Sequence, residues 1–318
     1  VEKPDLIAKG EVASPVFSPD GQYVAFAQHD GEDFELFILD RKTGNVSQIT
    51  NDKRDDLMPA WSPEGGRIAW QKVDQASIDT ANSSEIWIGS PENNAGGQPL
   101  THNEIMDVYP VWSDNGHWIV YEAGDKDNLF GLWKVMAPDQ SSLEQIRENN
   151  LETNISVEHV IYEPEHSANG IPHVANGQIV YERSDDGISY YVAAIPLNGS
   201  GNVERLSSWE VRANPTPRFH PDGMRIAAHG NTDGSSHMEI HISDTDGNFL
   251  QKFRGAESLR LPRWSRGGHL VAAEGGGTHT LYLLDTEQKN IVPLKECGPV
   301  NGQKFMRIWS YDLLVLIF

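Results

Sequence analysis

Apolar residues along this chain come in short runs of four to seven, many of them alternating with polar ones. Phe34, Leu36 and Ile38 alternate with Glu35 and Phe37, and Met238, Ile240 and Ile242 alternate with Glu239 and His241. A period of two belongs to a pleated strand with one buried face. Between the runs stand tight-turn signals. In Pro15-Val16-Phe17-Ser18-Pro19-Asp20-Gly21 a serine opens a β-turn, a proline presets φ at its second corner, and a glycine closes it. Tyr23-Val24-Ala25-Phe26 follows, so the unit predicts strand, turn, strand.

The unit recurs. Pro59-Ala60-Trp61-Ser62-Pro63-Glu64-Gly65 and Pro110-Val111-Trp112-Ser113-Asp114-Asn115-Gly116 are close copies, and Pro172-His173-Val174-Ala175-Asn176-Gly177 is a shortened one. Pro217-Arg218-Phe219-His220-Pro221-Asp222-Gly223 and Pro262-Arg263-Trp264-Ser265-Arg266-Gly267-Gly268 continue the series, and Arg307-Ile308-Trp309-Ser310 is a worn last copy. Positions 172, 217, 262 and 307 are spaced by a constant 45 residues. Repeats near this length signal propeller blades. The predicted fold is therefore all-β, a single domain over 1–318 forming a seven-bladed β-propeller, with six blades as the alternative. Blades start near 15, 59, 110, 172, 217, 262 and 307. Asp5-Leu6-Ile7-Ala8-Lys9 resembles the end of a repeat, so the chain is expected to close its ring by pairing N- and C-terminal strands in one blade. That closure removes free sheet edges. The last blade lacks an obvious third strand.

The pattern Pro-x-Trp/Phe-Ser-Pro-Asp-Gly, then a hydrophobic-Ala-Phe run, an alternating strand and a Leu-Thr ending, resembles the TolB-like, WD-repeat-like propeller family over nearly the whole chain. Blades one, two and five carry it most clearly. The resemblance implies a periplasmic or secreted setting and a module that binds a protein or glycan ligand. The same repeat occurs in propeller domains of prolyl-oligopeptidase-type peptidases and in propeller polysaccharide lyases, which adds a carbohydrate-active enzyme as the second reading.

Composition changes the picture in three places. Net charge is −21, from 46 acidic against 25 basic residues, a surface that repels phosphate backbones and argues against nucleic acid. A single cysteine, Cys297, excludes an intrachain disulfide and Cys-rich metal sites. No run approaches the about 20 apolar residues of a membrane span, and Val1-Glu2-Lys3-Pro4 carries no signal-peptide pattern. A monomer is expected, with no obligatory cofactor.

Candidate chemistry sits where the predicted ring has its mouth. If each first strand descends from the top face, the inter-blade connections and second-to-third loops lie on top. Both the Val73–Ser84 loop and a stretch at 147–170 that lacks the repeat pattern are then expected there. Three residues before the key proline stand Asp56, Asp107, Asn169 and Asn214, oxygen-bearing side chains that either bind Ca²⁺ or a polar ligand, with Asp56 and Asp107 as the metal ligands, or form Asx turns. His159, Tyr162 and His166 lie in the irregular stretch and His173 beside a first-strand proline. They are ligand-binding residues or solvated loop side chains. Arg212, Arg260 and Arg307, with Tyr109 and His173, are the parts a uronate lyase needs. Arginine neutralises the carboxylate, and His or Tyr moves the α-proton and protonates the leaving oxygen. On that reading His173, Tyr109, Arg212 and Arg260 are catalytic. The alternative is that these arginines pair with the abundant acids.

Overall fold

The Ser-Pro-Asp-Gly segments fold as turns that their own side chains lock. Ser18 N donates to the Tyr23 carbonyl at 2.9 Å and Gly21 N to the Ser18 carbonyl at 2.8 Å. Ser18 Oγ donates to Asp20 Oδ1 at 2.5 Å and accepts from Tyr23 N at 2.9 Å. Ser62, Ser113, His220 and Ser265 repeat the backbone pair of bonds. Glycine closes the first turn because φ there is +73°.

The structure, a computed structural model, describes residues 12–73, 83–92, 96–103, 105–124, 130–149, 157–161, 169–211, 215–233, 235–275 and 281–293. Among them are six four-stranded antiparallel modules. Module one holds β1 (Val12–Phe17), β2 (Tyr23–His29), β3 (Phe34–Asp40) and β4 (Val46–Gln48). Module two holds β5 (Asp55–Trp61), β6 (Ile68–Val73), β7 (Ser84–Gly89) and β8 (Gln98–Pro99). Module three is β9 (Met106–Trp112), β10 (Trp118–Gly124), β11 (Phe130–Met136) and, after helix α1 (Gln140–Asn149), β12 (Val157–Ile161). Module four is β13 (Asn169–Ala175), β14 (Gln178–Ser184), β15 (Tyr190–Pro196) and β16 (Glu204–Arg205). Module five is β17 (Arg218–Phe219), β18 (Arg225–Gly230), β19 (Glu239–Asp244) and β20 (Phe249–Phe253), and module six β21 (Leu259–Trp264), β22 (Leu270–Gly275), β23 (Leu281–Asp285) and β24 (Asn290–Pro293). Within each, strands pair in sequence order. Modules two and three also share one parallel bridge, Ser84 with Met106.

Modules one to three belong to one compact unit and modules four to six to a second. In each unit the core lies between successive modules. Ala25, Leu36 and Ile38 pack with Ile68 and Trp70, and Val192, Leu206 and Phe219 with Ile226 and Ala228. The repeat's tryptophan ties one module to the one before. Trp61 Nε1 donates to the Val16 carbonyl at 3.3 Å, Trp112 to Ala60 at 2.9 Å and Trp264 to Arg218 at 3.2 Å.

One expectation needs correction. The stretch 147–170 is not a single irregular inter-blade connection. Val157–Ile161 is the outer strand of module three, pairing Trp133 with His159 and Val135 with Val157, and Asn169 and Gly170 already belong to the next first strand. The inserted residues stand between third and fourth strands, and they include a helix. Asp139 caps it by accepting from Ser142 N at 2.8 Å, and Leu143 buries its apolar side. The outer strand escaped notice because Val-Glu-His-Val-Ile carries no Leu-Thr ending. The seventh repeat and both segments invoked for ring closure lie outside the described residues. No helix among those described is long and apolar enough to cross a membrane.

Candidate functional site

The first strand of every module breaks at the same place. Ser14, Met58, Tyr109, Ile171, Thr216 and Leu261 have φ between +43° and +55°, and each immediately precedes the repeat proline. Residues before proline favour extended backbone, and a left-handed non-glycine costs about 1 kcal/mol or more. The pairing register with the second strand shifts at this point in five of the six modules. The result is a bulge that re-aims the side chains around the proline.

In the second unit, the residue after that proline is basic in all three modules: His173, Arg218 and Arg263. They are neighbours. Phe219 N donates to His173 Nδ1 at 3.3 Å, and burial together with the charges of Arg218 and Arg263 lowers the His173 imidazole to about 3. His173 is therefore neutral at pH 7. Arg218 Nη1 donates to the Pro217 carbonyl at 2.9 Å and Arg263 Nη1 to the Pro262 carbonyl at 3.2 Å, which fixes both guanidinium groups against the first strands. Such a row, in a strongly acidic chain, suits a carboxylate. Arg218 and Arg263 escaped the sequence reading, although their position one residue after successive prolines was the available signal.

Arg260 is exposed, stands opposite Glu274 across β21 and β22, and its charge acts on His229, not on His173. Burial first, then the Arg260 charge, lowers His229 to about 3, and its Nδ1 lies 3.1 Å from Thr216 Oγ1. Tyr109 stands half-buried in the first unit with φ +55°. His159 stands on the exposed side of β12, its ring centroid 3.6 Å from that of Trp133, and this partial covering lowers its pKa. Asn169 pairs with Arg183 across β13 and β14. Arg212, Asn214, Tyr162, His166 and Arg307 lie outside the described residues.

Asp56 and Asp107 are wholly buried between modules. Asp56 accepts from Trp70 Nε1 at 2.7 Å and Lys72 Nζ at 3.1 Å, so an internal ammonium already holds the place the calcium reading gives to a metal. Asp107 accepts from Asn103 Nδ2 at 2.9 Å. Among the described residues no three His, Cys, Asp or Glu side chains converge on a point fit for a metal ion.

The family model for the TolB beta propeller domain matches residues 6–171. The Tol-Pal system protein TolB of Francisella tularensis subsp. mediasiatica is 26% identical over 256 residues, covering 80% of this chain and 54% of that protein. The chain thus spans about half the length of the curated relatives it matches. TolB from Acinetobacter baumannii superposes with a TM-score of 0.59 at 17% identity, over 81% of this chain and 58% of the other. An oligogalacturonate lyase in complex with manganese superposes at 0.64 and 13% identity, over 87% and 74%. At such identities the likeness to both solved structures is one of fold. With six successive four-stranded modules and a family match over more than half its length, this chain belongs to the TolB β-propeller family.

Proposed function

We propose that this chain is a binding module, periplasmic in setting, that holds a carboxylate-bearing ligand against the first strands of modules four to six. The observation that carries the reading is the row His173, Arg218 and Arg263 at one repeat position. Two fixed guanidinium groups offer paired donors to a carboxylate, and a neutral imidazole beside them adds no repulsion. An acidic segment of a protein partner fits the relatives' membership of the Tol-Pal system, and an acidic glycan presents the same group.

The second reading is a uronate lyase. It is favoured by the lyase superposition and by the imidazole standing next to the two arginines. On that reading Arg218 and Arg263 neutralise the uronate carboxylate, and His173 Nδ1 gives up the Phe219 N–H and takes the α-proton. The bond to the leaving oxygen breaks as the ring double bond forms, and that oxygen takes up a proton from water. Titration with oligogalacturonate and with an acidic peptide tests both. Saturable binding that weakens at least about tenfold in Arg218→Ala/Arg263→Ala supports the module. Growth of the ultraviolet absorbance of an unsaturated uronate, lost in His173→Ala, selects the lyase. Binding indifferent to both arginines defeats the proposal.

A further inference from the structure

Four modules bury a large aromatic ring at the same place on the second strand: Phe26, Trp70, Tyr121 and Tyr181, none more than 1% exposed. In modules five and six that place is Ala228 and Ala273. Module six refills the space from the opposite strand. Tyr282 is the register partner of Ala273 and anchors its hydroxyl on Glu257 at 2.8 Å. Module five has only a histidine there, His241 opposite Ala228. The deficit remains as a cavity of about 140 Å³ between modules four and five, with Val192, Leu206, Ile226 and Ala228 among its walls.

Three observations make this a built site. Trp209 lies against Gly230 so closely that a Cβ there would come within 2.5 Å of the indole, and Ser207 Oγ donates to the Trp209 carbonyl at 2.9 Å. Gly247, at φ +81°, abuts the Leu206 carbonyl, where a Cβ would sit 2.7 Å away. His241 also lines the cavity, its ring 5.3 Å from Trp209. It is 5% exposed, and its Nε2 has no hydrogen-bond partner, the Glu239 carboxylate being 3.6 Å off. A buried polar nitrogen without a partner is costly and invites one. Phe249, 61% exposed, stands at the edge of the cavity. Ser207, Ser208 and Ser243 also line it, and a volume of about 150 Å³ is enough to take up a benzene-sized ring.

We propose that this cavity is a binding site for a small phenol, whose ring fills the volume that the other modules give to an aromatic side chain and whose hydroxyl meets His241 Nε2. The site is independent of the basic row on the first strands. The experiment is a titration of the whole chain with 4-methylphenol and with toluene, followed by NMR shifts of the Trp209 indole N–H and the Ala228 methyl. Saturable binding of 4-methylphenol is expected, with a Kd on the order of 1 mM. Toluene should bind at least about fivefold more weakly, a preference that His241→Leu erases. Ala228→Phe, which restores the residue type of modules one to four, should weaken 4-methylphenol more than about tenfold without lowering the melting temperature. Should that variant not fold, Ala228→Leu carries the same expectation. Absence of saturable shifts in the wild-type chain, or unchanged binding in either folded variant, overturns the site.

Discussion

Asp56 and Asp107 occupy the same place in successive modules, and their surroundings differ by a paired exchange. Opposite Asp56 on the second strand is Lys72, and opposite Asp107 is Ala123. Trp70 becomes Tyr121, and Asp52, which salt-bridges Lys72 at 2.7 Å, becomes Asn103. Around these changes the scaffold repeats. Thr50 Oγ1 accepts from Leu36 N and Thr101 Oγ1 from Ile86 N, both at 2.9 Å. Glu35 accepts from Asp52 N at 2.5 Å and Glu85 from Asn103 N at 2.7 Å. An acid and a base have been lost together. The first junction neutralises its carboxylate with an ammonium. The second leaves Asp107 Oδ1 without a hydrogen-bond partner, and burial, reinforced by the Glu85 charge, pushes the carboxyl up to about 7. A buried acid can be tolerated by pairing it or by keeping its proton, and this chain does both within one unit.

The comparison breaks most readily at Lys72. Lys72→Ala leaves Asp56 buried, raised further above its ordinary range, and without its cation. Unfolding in urea at pH 7 should show a loss of about 4 kcal/mol, whereas Ala123→Gly at the matching place in a strand should cost about 1 kcal/mol. Equal losses would mean that the ammonium does nothing special.

The next effect has the opposite sign. Asp107 has a folded pKa of about 7 against an ordinary 3.8, so the folded state binds the extra proton between those values. Its contribution is fully present below about pH 4, declines as pH rises through 7, and is constant above. Asp107→Asn cannot ionise and should be more stable than the parent at pH 8 by up to about 3 kcal/mol, with the advantage fading toward pH 4. The variant's slope should be shallower than the parent's without vanishing, because Glu35 is also held up to about 7 by burial. Urea unfolding of both proteins at pH 4, 6 and 8 measures this, and an unchanged slope removes Asp107 from the account.

The smallest change sharpens the role of the indole. Trp70→Phe keeps an aromatic ring in the buried place but removes the N–H that Asp56 accepts, together with the five-membered half of the indole. About 2 kcal/mol should be lost. Tyr121→Phe, at the matching place in the next module, should lose less by the same assay.

Much of this architecture was legible. The turns are local, so Ser18-Pro19-Asp20-Gly21 and its copies announced themselves, and the two-residue period located third strands such as Phe34–Asp40 to within a residue. Asp56 and Asp107 were noticed by their distance from the proline but assigned to an open mouth. Their burial depends on the next module packing over them, which no local pattern encodes. Arg218 and Arg263 were overlooked because a basic residue on a strand looks like solvated surface until its neighbours are known. The helix at Gln140–Asn149 broke the expected repeat, since its cap at Asp139 is a single residue in an otherwise polar stretch.

The sequence by itself determined a chain of similar antiparallel modules, because strand alternation and turn geometry are decided by residues a few places apart. Only the tertiary structure decided which polar groups are buried and whom they meet. Asp56 finds Lys72, His173 finds Arg218, and Trp61 finds Val16 across intervals of 16, 45 and 45 residues. The first meeting is set by strand register within one sheet and the other two by the packing of one sheet on the next, and that packing also decides that a cavity lies beside Ala228 while Trp70 is wholly buried.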